Sequence, residues 1–245
     1  MNFRGQIAVV TGGSGLIGSA ICRRLAGDGA VVIAASRHPK PRQKSVGKIV
    51  PVAMDLTDQS NVKAAFAEIV KRYGAPRVLV ANASCREALE SSFGRISPQD
   101  FAELCAVDIA GHFSCAQQLA SALRKGQSGS IVFLSSIYAI AGADPGLSSA
   151  PPQYAAAKGA LLGLTRSLAA RWGKRGIRVN AVIAGGVEAR ERQSAKFRTA
   201  YGKKTMIGRM ARAEEIASAV AFLASDDASY ITGASLAVDG GYSAW

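Results

Sequence analysis

Tyr154 and Lys158 stand three alanines apart, with Ser135-Ser136 upstream of them. If a helix begins just before Tyr154, positions four apart stack on one face, so phenol and ammonium lean over the same pocket. A free phenol, with a pKa of about 10, exchanges protons poorly near neutrality, and lowering it by about three units takes roughly 4 kcal/mol of preference for phenolate. One ammonium at about 4 Å in an effective dielectric of about 20 supplies roughly that much. Ser136 can then hydrogen-bond a carbonyl or alcohol oxygen while Tyr154 exchanges its proton, leaving carbon to trade a hydride with a cofactor. In a chain with 6 tyrosines the pair alone is a weak signal, so the elements around it decide its meaning.

The first of those elements is an apolar run, Ile7-Ala-Val-Val-Thr11, followed by Gly12-Gly-Ser-Gly15-Leu-Ile-Gly18 and an amphipathic stretch through Ile17, Ile21 and Leu25 to Gly27. Strand, glycine loop and helix form a phosphate cradle. Gly12 permits the tight turn, Gly15 lets the backbone approach a diphosphate, Gly18 allows close helix packing, and helix N-terminal amides face the anion. Ala30–Ser36 reads as a second strand, apolar throughout as a strand covered on both faces should be. A carboxylate at its end would bind a ribose 2′-hydroxyl. Here Ser36 and Arg37 stand there instead, with His38, Lys40 and Arg42 beyond, which suits a 2′-phosphate. Pro39 and Pro41 make the following crossover short and loop-like.

Further along, Lys48–Met54 reads as a third strand ending at Asp55-Leu56-Thr57, where Thr57 can cap a helix to about Tyr73. Asp55 could accept from an adenine amino group or close a turn. Arg77–Ala81 reads as a fourth strand, followed by Asn82-Ala83-Ser84. Ser97-Pro98-Gln-Asp100 is a strong helix start, and that helix should run to about Arg124-Lys125. Gly129–Leu134 delivers Ser135-Ser136 at the carboxyl end of a fifth strand, where open parallel sheets keep their ligands. Residues 139–152 read as a loop over the pocket. The Tyr154 helix should end near Lys174, ahead of a sixth strand at Ile177–Ile183, a helix at Glu214–Ala224 and a last strand at Ala234–Asp239.

Composition bounds the rest. At 245 residues and 49% hydrophobic content the chain can bury a full core as one α/β domain, residues 1–245. It opens without a charged-then-apolar leader and carries no apolar run of membrane-spanning length, so a cytoplasmic protein without membrane contact is expected. Cys22, Cys85, Cys105 and Cys115 lack metal-like spacing and read as reduced core filler. The net charge of +13 is local: residues 37–48 hold five Lys/Arg and residues 190–212 hold eight against Glu191 alone. Without an aromatic-interleaved basic repeat this points away from nucleic acid and towards phosphate or an anionic substrate. The second stretch reads as a helical, mobile lid at about 187–212, or as an ordinary solvated face.

With these pieces in place, the whole chain resembles the single-domain branch of the short-chain dehydrogenase/reductase family. The carrying motifs are Thr11-Gly-Gly-Ser-Gly-Leu-Ile-Gly18, Asp55-Leu-Thr57, Asn82-Ala83, Ser135-Ser136, Tyr154-x-x-x-Lys158, Arg178-Val-Asn-Ala-Val182 and Thr232-Gly-x-x-Leu-x-Val-Asp-Gly-Gly241. The resemblance implies a Rossmann fold, a seven-stranded parallel sheet of order 3-2-1-4-5-6-7 with helices on both faces, assembled as a homotetramer or homodimer. It implies Ser136 as donor to the substrate oxygen, Tyr154 as acid/base, and Lys158 holding the nicotinamide ribose while lowering the phenol. Ser135 is then a structural hydroxyl and Tyr138 a pocket wall. The expected cofactor-binding set is Gly12, Ser14, Gly15, Leu16, Ile17, Gly18, Ser36, Arg37, Asp55, Leu56, Asn82, Ala83, Tyr154, Lys158, Gly185 and Val187, with NADP(H) favoured over NAD(H).

Several positions depart from the pattern. Leu16 replaces a glycine, Asp108 replaces the asparagine that supports a relay water, Ala184-Gly185 replaces Pro-Gly, and Ala189 replaces a threonine that contacts the nicotinamide amide. Asp108 can still accept from a water, but its charge could shift the pH dependence of the relay. The expected activity is NADPH-dependent interconversion of a carbonyl and a secondary alcohol. The substrate is a small or carrier-bound carbonyl compound, anionic if the basic lid takes part, such as a 3-oxoacyl thioester or an acidic sugar derivative. Arg124, Lys125 and Arg175 could add a docking patch for an acidic carrier protein. Two rivals stay open: a nucleotide-binding regulatory or scaffold protein with little turnover, and an NAD-linked dehydrogenase.

Overall fold

The structure, a computed structural model, describes residues 1–39, 47–85, 96–144, 146–147 and 150–244. Seven strands, β1 Ile7–Thr11, β2 Val31–Ser36, β3 Lys48–Ala53, β4 Val78–Ala81, β5 Gly129–Ser136, β6 Ile177–Ala184 and β7 Ser235–Val238, pair in parallel in the order β3-β2-β1-β4-β5-β6-β7. This is the expected order, and it arises because β1 feeds first to β2 on one side and later to β4 on the other. The crevice between those two halves opens at the carboxyl ends of β1 and β4.

Strand alternation sorts the core into two halves. Val9, Ile33, Leu79, Ile131 and Val179 point to the face covered by α2 (Gln59–Tyr73), α4 (His112–Ala122) and α5 (Pro152–Trp172). Their neighbours Ala8, Val10, Val32, Val80 and Val132 point to the face covered by α1 (Leu16–Gly27) and α7 (Ala213–Ala224). Each fully buried Leu, Ile or Phe on these faces contributes roughly 1.5–3 kcal/mol. Helices on both faces explain why the strands read as unbroken apolar runs rather than alternating ones. Among the described residues no helix is long and apolar enough to cross a membrane.

Three local expectations are corrected. Thr57 does not cap α2: its hydroxyl and amide both donate to Asp55 Oδ1 in a closed turn, and Asp58 caps instead, accepting from Ser60 N at 2.8 Å and Asn61 N at 3.1 Å. The helix predicted from Pro98 to Lys125 is α3 (Pro98–Cys105), a π-helical segment at Ala106–Gly111, and α4, which stops at Ala122 because Leu123 turns extended and packs into the core. The π segment lies against the Asp55-Leu56 turn: a Cβ on Gly111 would come within 2.6 Å of Leu56. Finally, residues 190–212 are not one helix. Only α6 (Ala195–Gly202) is helical, and it ends where the Thr205 hydroxyl accepts from the amides of Gly208 and Arg209, with Gly208 at φ +81°. Lys40 and Arg42 lie outside the described residues, as do positions 145, 148 and 149 of the expected loop over the pocket.

Candidate active site

The glycine loop turns on contacts that leave no room for side chains. A Cβ on Gly18 would meet the Gly12 carbonyl oxygen at 2.1 Å, and Gly12 itself sits at φ +65° with Ala83 Cα 2.9 Å from where its Cβ would be. Thr11 fastens this loop to the end of β4: its hydroxyl oxygen accepts from the Asn82 and Ala83 amides at 2.9 and 3.1 Å, and the Asn82 side chain donates to the Thr11 carbonyl at 2.9 Å. The result is a cleft of about 560 Å³ at the crevice of the sheet. Gly12, Ser14, Gly15, Leu16, Ile17 and Gly18 line its floor, Ser36, Arg37, Asp55 and Leu56 one end, and Asn82 and Ala83 the middle.

This cleft has the shape and chemistry that a dinucleotide requires. The Ser36 hydroxyl, on a residue that lines the cleft, is shielded from solvent and has no hydrogen-bond partner among the described residues, an orphaned polar group that a bound ligand could satisfy. Asp55 lines the cleft and also closes the turn with Thr57. Gly185 and Val187 lie off this cleft at the head of β6, where Gly185 N donates to Val238 O and Val187 bridges to Ala211. His38, read with Arg37 as suiting a phosphate, lines the cleft as expected, whereas sequence reasoning missed Arg192, which reaches the cleft from the basic segment after β6.

Ser136, Tyr154 and Lys158 do not line this cleft; Lys158 is linked to it through Asp108, which accepts from the lining residues Ser84 and Cys85. Pro152 occupies the first turn of α5, so Tyr154 enters the helix at once and Lys158 follows one turn later. The Lys158 ammonium lies 5.4 Å from the centroid of the Tyr154 ring, the shared face the spacing predicted. Tyr138 stands edge-on to the same ring at 6.5 Å. β5 carries both serines to its carboxyl end: Ser135 donates to the Lys158 carbonyl at 2.8 Å, anchoring α5, while the Ser136 hydroxyl accepts from Tyr138 N at 3.3 Å.

The expectation for Asp108 is revised by its surroundings. It is fully buried, and where a water was expected its Oδ2 meets Lys158 Nζ at 2.9 Å. Ser84 Oγ also donates to Oδ2, and Cys85 N donates to Oδ1. Lys158 Nζ donates in addition to the Leu134 carbonyl at 3.1 Å. Burial works against the ammonium, but the Asp108 carboxylate and Tyr154 outweigh it and hold the lysine above its usual range. One turn on, His112 is also buried, with Nδ1 3.0 Å from the Asp108 carbonyl and Nε2 3.2 Å from the Thr11 hydroxyl. Burial pushes its imidazole down to about 4, so Nδ1 donates to the carbonyl and Nε2 accepts from Thr11. Asp108 and His112, four apart in an otherwise apolar stretch, were the available signal for this cluster. Ser84 and Cys85 line the cleft, so the pair connects it directly to Lys158.

A second cavity, of about 590 Å³, lies along the segment after β6, lined by Arg190, Arg198, Lys203, Arg209 and Arg212 with Glu188 as its one carboxylate. Glu188 pairs with Arg190 and Arg198, and Glu215 with Arg209 and Arg212. Tyr201 pins the segment from below: its hydroxyl accepts from Gly186 N at 2.6 Å and its ring stacks on Tyr242. Of the expected carrier patch, Arg175 is committed to the Ala120 carbonyl at 2.7 Å.

Comparison with known proteins agrees with the fold. The family described as Enoyl-(Acyl carrier protein) reductase matches residues 13–243. The 3-oxoacyl-[acyl-carrier-protein] reductase FabG of Thermotoga maritima is 34% identical over 98% of this chain and 99% of its own length. The cis-4-hydroxycyclohexanecarboxylate dehydrogenase of Sinomonas cyclohexanicum is 35% identical over 99% and 98%. Among solved structures, a short chain dehydrogenase from Leptospira borgpetersenii with bound NAD+ superposes with a TM-score of 0.91 at 29% identity, covering 98% of this chain and 94% of that one. A putative 2-deoxy-d-gluconate 3-dehydrogenase from Agrobacterium tumefaciens with bound NADP gives 0.87 at 31%, covering 100% and 98%.

Proposed function

The chain belongs to the short-chain dehydrogenase/reductase family, and from that premise we propose that it is an NADPH-dependent carbonyl reductase working on an anionic substrate. The observation that carries the reading is the Lys158 ammonium lying over the Tyr154 ring on α5, linked through Asp108 and Ser84 to a cleft lined by the glycine loop. When bound, the nicotinamide supplies the hydride. The chain's own residues do the rest: Ser136 donates a hydrogen bond to the carbonyl oxygen, Tyr154 gives that oxygen its proton, and Lys158 holds the nicotinamide ribose. The segment at 187–212 acts as a lid, a role supported by Arg192, which reaches the cleft from it.

NADPH rather than NADH is favoured by Arg37 beside the orphaned Ser36 hydroxyl, these two residues standing at the end of β2 where a carboxylate would receive a ribose 2′-hydroxyl. A charge-assisted contact to phosphate contributes about 1.5–3 kcal/mol. Arg37→Ala should therefore weaken NADPH about tenfold or more and leave NADH nearly unchanged in a fluorescence titration. Equal affinity of the wild type for both cofactors would remove the assignment.

The anionic substrate is supported by the basic cavity, where among the described residues five cations are balanced by Glu188 in the lining and Glu215 at its edge. Surface charges steer ligands across a Debye length that shrinks from about 14 Å to about 7 Å between 50 and 200 mM salt. KM for a 3-oxoacyl thioester of coenzyme A should rise severalfold over that range while KM for an uncharged ketone stays flat. Parallel behaviour of the two substrates would count against a role for the cavity.

A further inference from the structure

We propose that Asp108 is a positioning residue that holds the Lys158 ammonium in a charge-neutral pair, so that the Tyr154 phenol faces a dipole rather than a full positive charge and the site favours carbonyl reduction over alcohol oxidation near neutrality. The direction of catalysis rests on the oxidoreductase reading above, whereas the charge pairing rests on geometry alone. Lys158 Nζ and Asp108 Oδ2 are 2.9 Å apart, with side chains 3% and 0% exposed. A lone ammonium beside a phenol favours phenolate. An ammonium in contact with a carboxylate presents a dipole, whose field at the phenol is weaker and falls off faster with distance.

No other described group replaces the cancelled charge. From α4, His112 faces the pair but burial keeps it neutral, as its descent to about 4 requires. From α3, Cys105 is pushed up first by burial and then by the Asp108 carboxylate, and stays a neutral thiol. The loop after β4 offers Ser84 Oγ and the Cys85 amide, and β5 offers the Leu134 carbonyl, all uncharged. The turn after β5 offers the neutral Tyr138 ring, and Tyr201 beyond it is raised by burial. Lys158 itself is held charged, so the pair persists as ammonium and carboxylate. An asparagine at 108 would keep an oxygen for the Ser84 or Cys85 donor and lack only the negative charge.

The test is an ultraviolet phenolate titration of the cofactor-free protein, with Tyr154→Phe subtracted to isolate Tyr154 from the other tyrosines, repeated in Asp108→Asn. Removing the carboxylate should lower the Tyr154 midpoint by roughly one to two pH units. The pH profile of alcohol oxidation should move to lower pH by the same amount, a change that mere loss of structure would not produce. Midpoints within a few tenths of each other would overturn the proposal. So would a wild-type midpoint about three units below that of a free phenol, as a lone ammonium would give; this reading needs only the Tyr154→Phe reference and does not depend on the Asp108→Asn variant folding. Shifted midpoints without turnover would support the pairing and refute the oxidoreductase reading, and turnover with unshifted midpoints would do the reverse.

Discussion

Lys158→Met should destabilise the protein by about 3–5 kcal/mol, because it leaves a carboxylate buried with no counter-charge. Asp108 is fully enclosed, and its remaining donors, Ser84 Oγ and Cys85 N, are neutral and supply hydrogen bonds only. The deficit should narrow towards acid, since protonating an uncompensated buried carboxyl removes the charge that costs energy. In linkage terms the variant's carboxyl has a folded-state pKa above its unfolded value, so its relative stability is best below about pH 4 and declines as pH rises. The double variant Lys158→Met/Asp108→Leu should recover most of the loss, because an apolar pair of similar volume replaces a buried ion pair at little cost. Urea midpoints for the two single variants and the double complete the cycle. Additive losses would mean that the two side chains do not act as a pair.

Tyr154→Phe should lower kcat for carbonyl reduction about a thousandfold, within the range that a positioned proton donor supplies. The substitution removes one oxygen from a half-buried side chain in the first turn of α5 and leaves Lys158, Asp108 and the glycine loop in place. NADPH affinity should therefore change by less than about threefold, which separates a lost acid from a lost site. KM should move little, since the proton passes to the carbonyl oxygen only in the transition state. Ser136 would still polarise the carbonyl, so a residual rate above the uncatalysed one is expected.

The sheet was legible in the sequence because each parallel strand is covered on both faces and so reads as a short apolar run between glycine-rich or polar turns, as Ile7–Thr11 and Gly129–Ser136 do. The Tyr154–Lys158 face was legible for a different reason: helical spacing converts directly into geometry. What escaped was set by tertiary contact. Nothing in the periodicity of residues 98–122 marks a π segment at Ala106–Gly111, because the extra residue is accommodated by the close approach of Gly111 to Leu56. That segment carries Asp108 inward onto Lys158, a pairing between residues 50 positions apart that no local pattern encodes. Likewise the basic run at 190–212 looked helical by composition, whereas the buried Tyr201 and the Thr205 turn break it into pieces.

The central claim is that a hydride reaches a carbonyl carbon in this site while Tyr154 protonates the oxygen. It is tested most directly by incubating the protein with NADPH carrying deuterium at both C4 positions and a 3-oxoacyl thioester, then locating the label by mass spectrometry. The account predicts one deuterium on the new carbinol carbon with the wild type, and label transfer slowed about a thousandfold with Tyr154→Phe. Product formed without deuterium, or transfer at the wild-type rate in Tyr154→Phe, would contradict it.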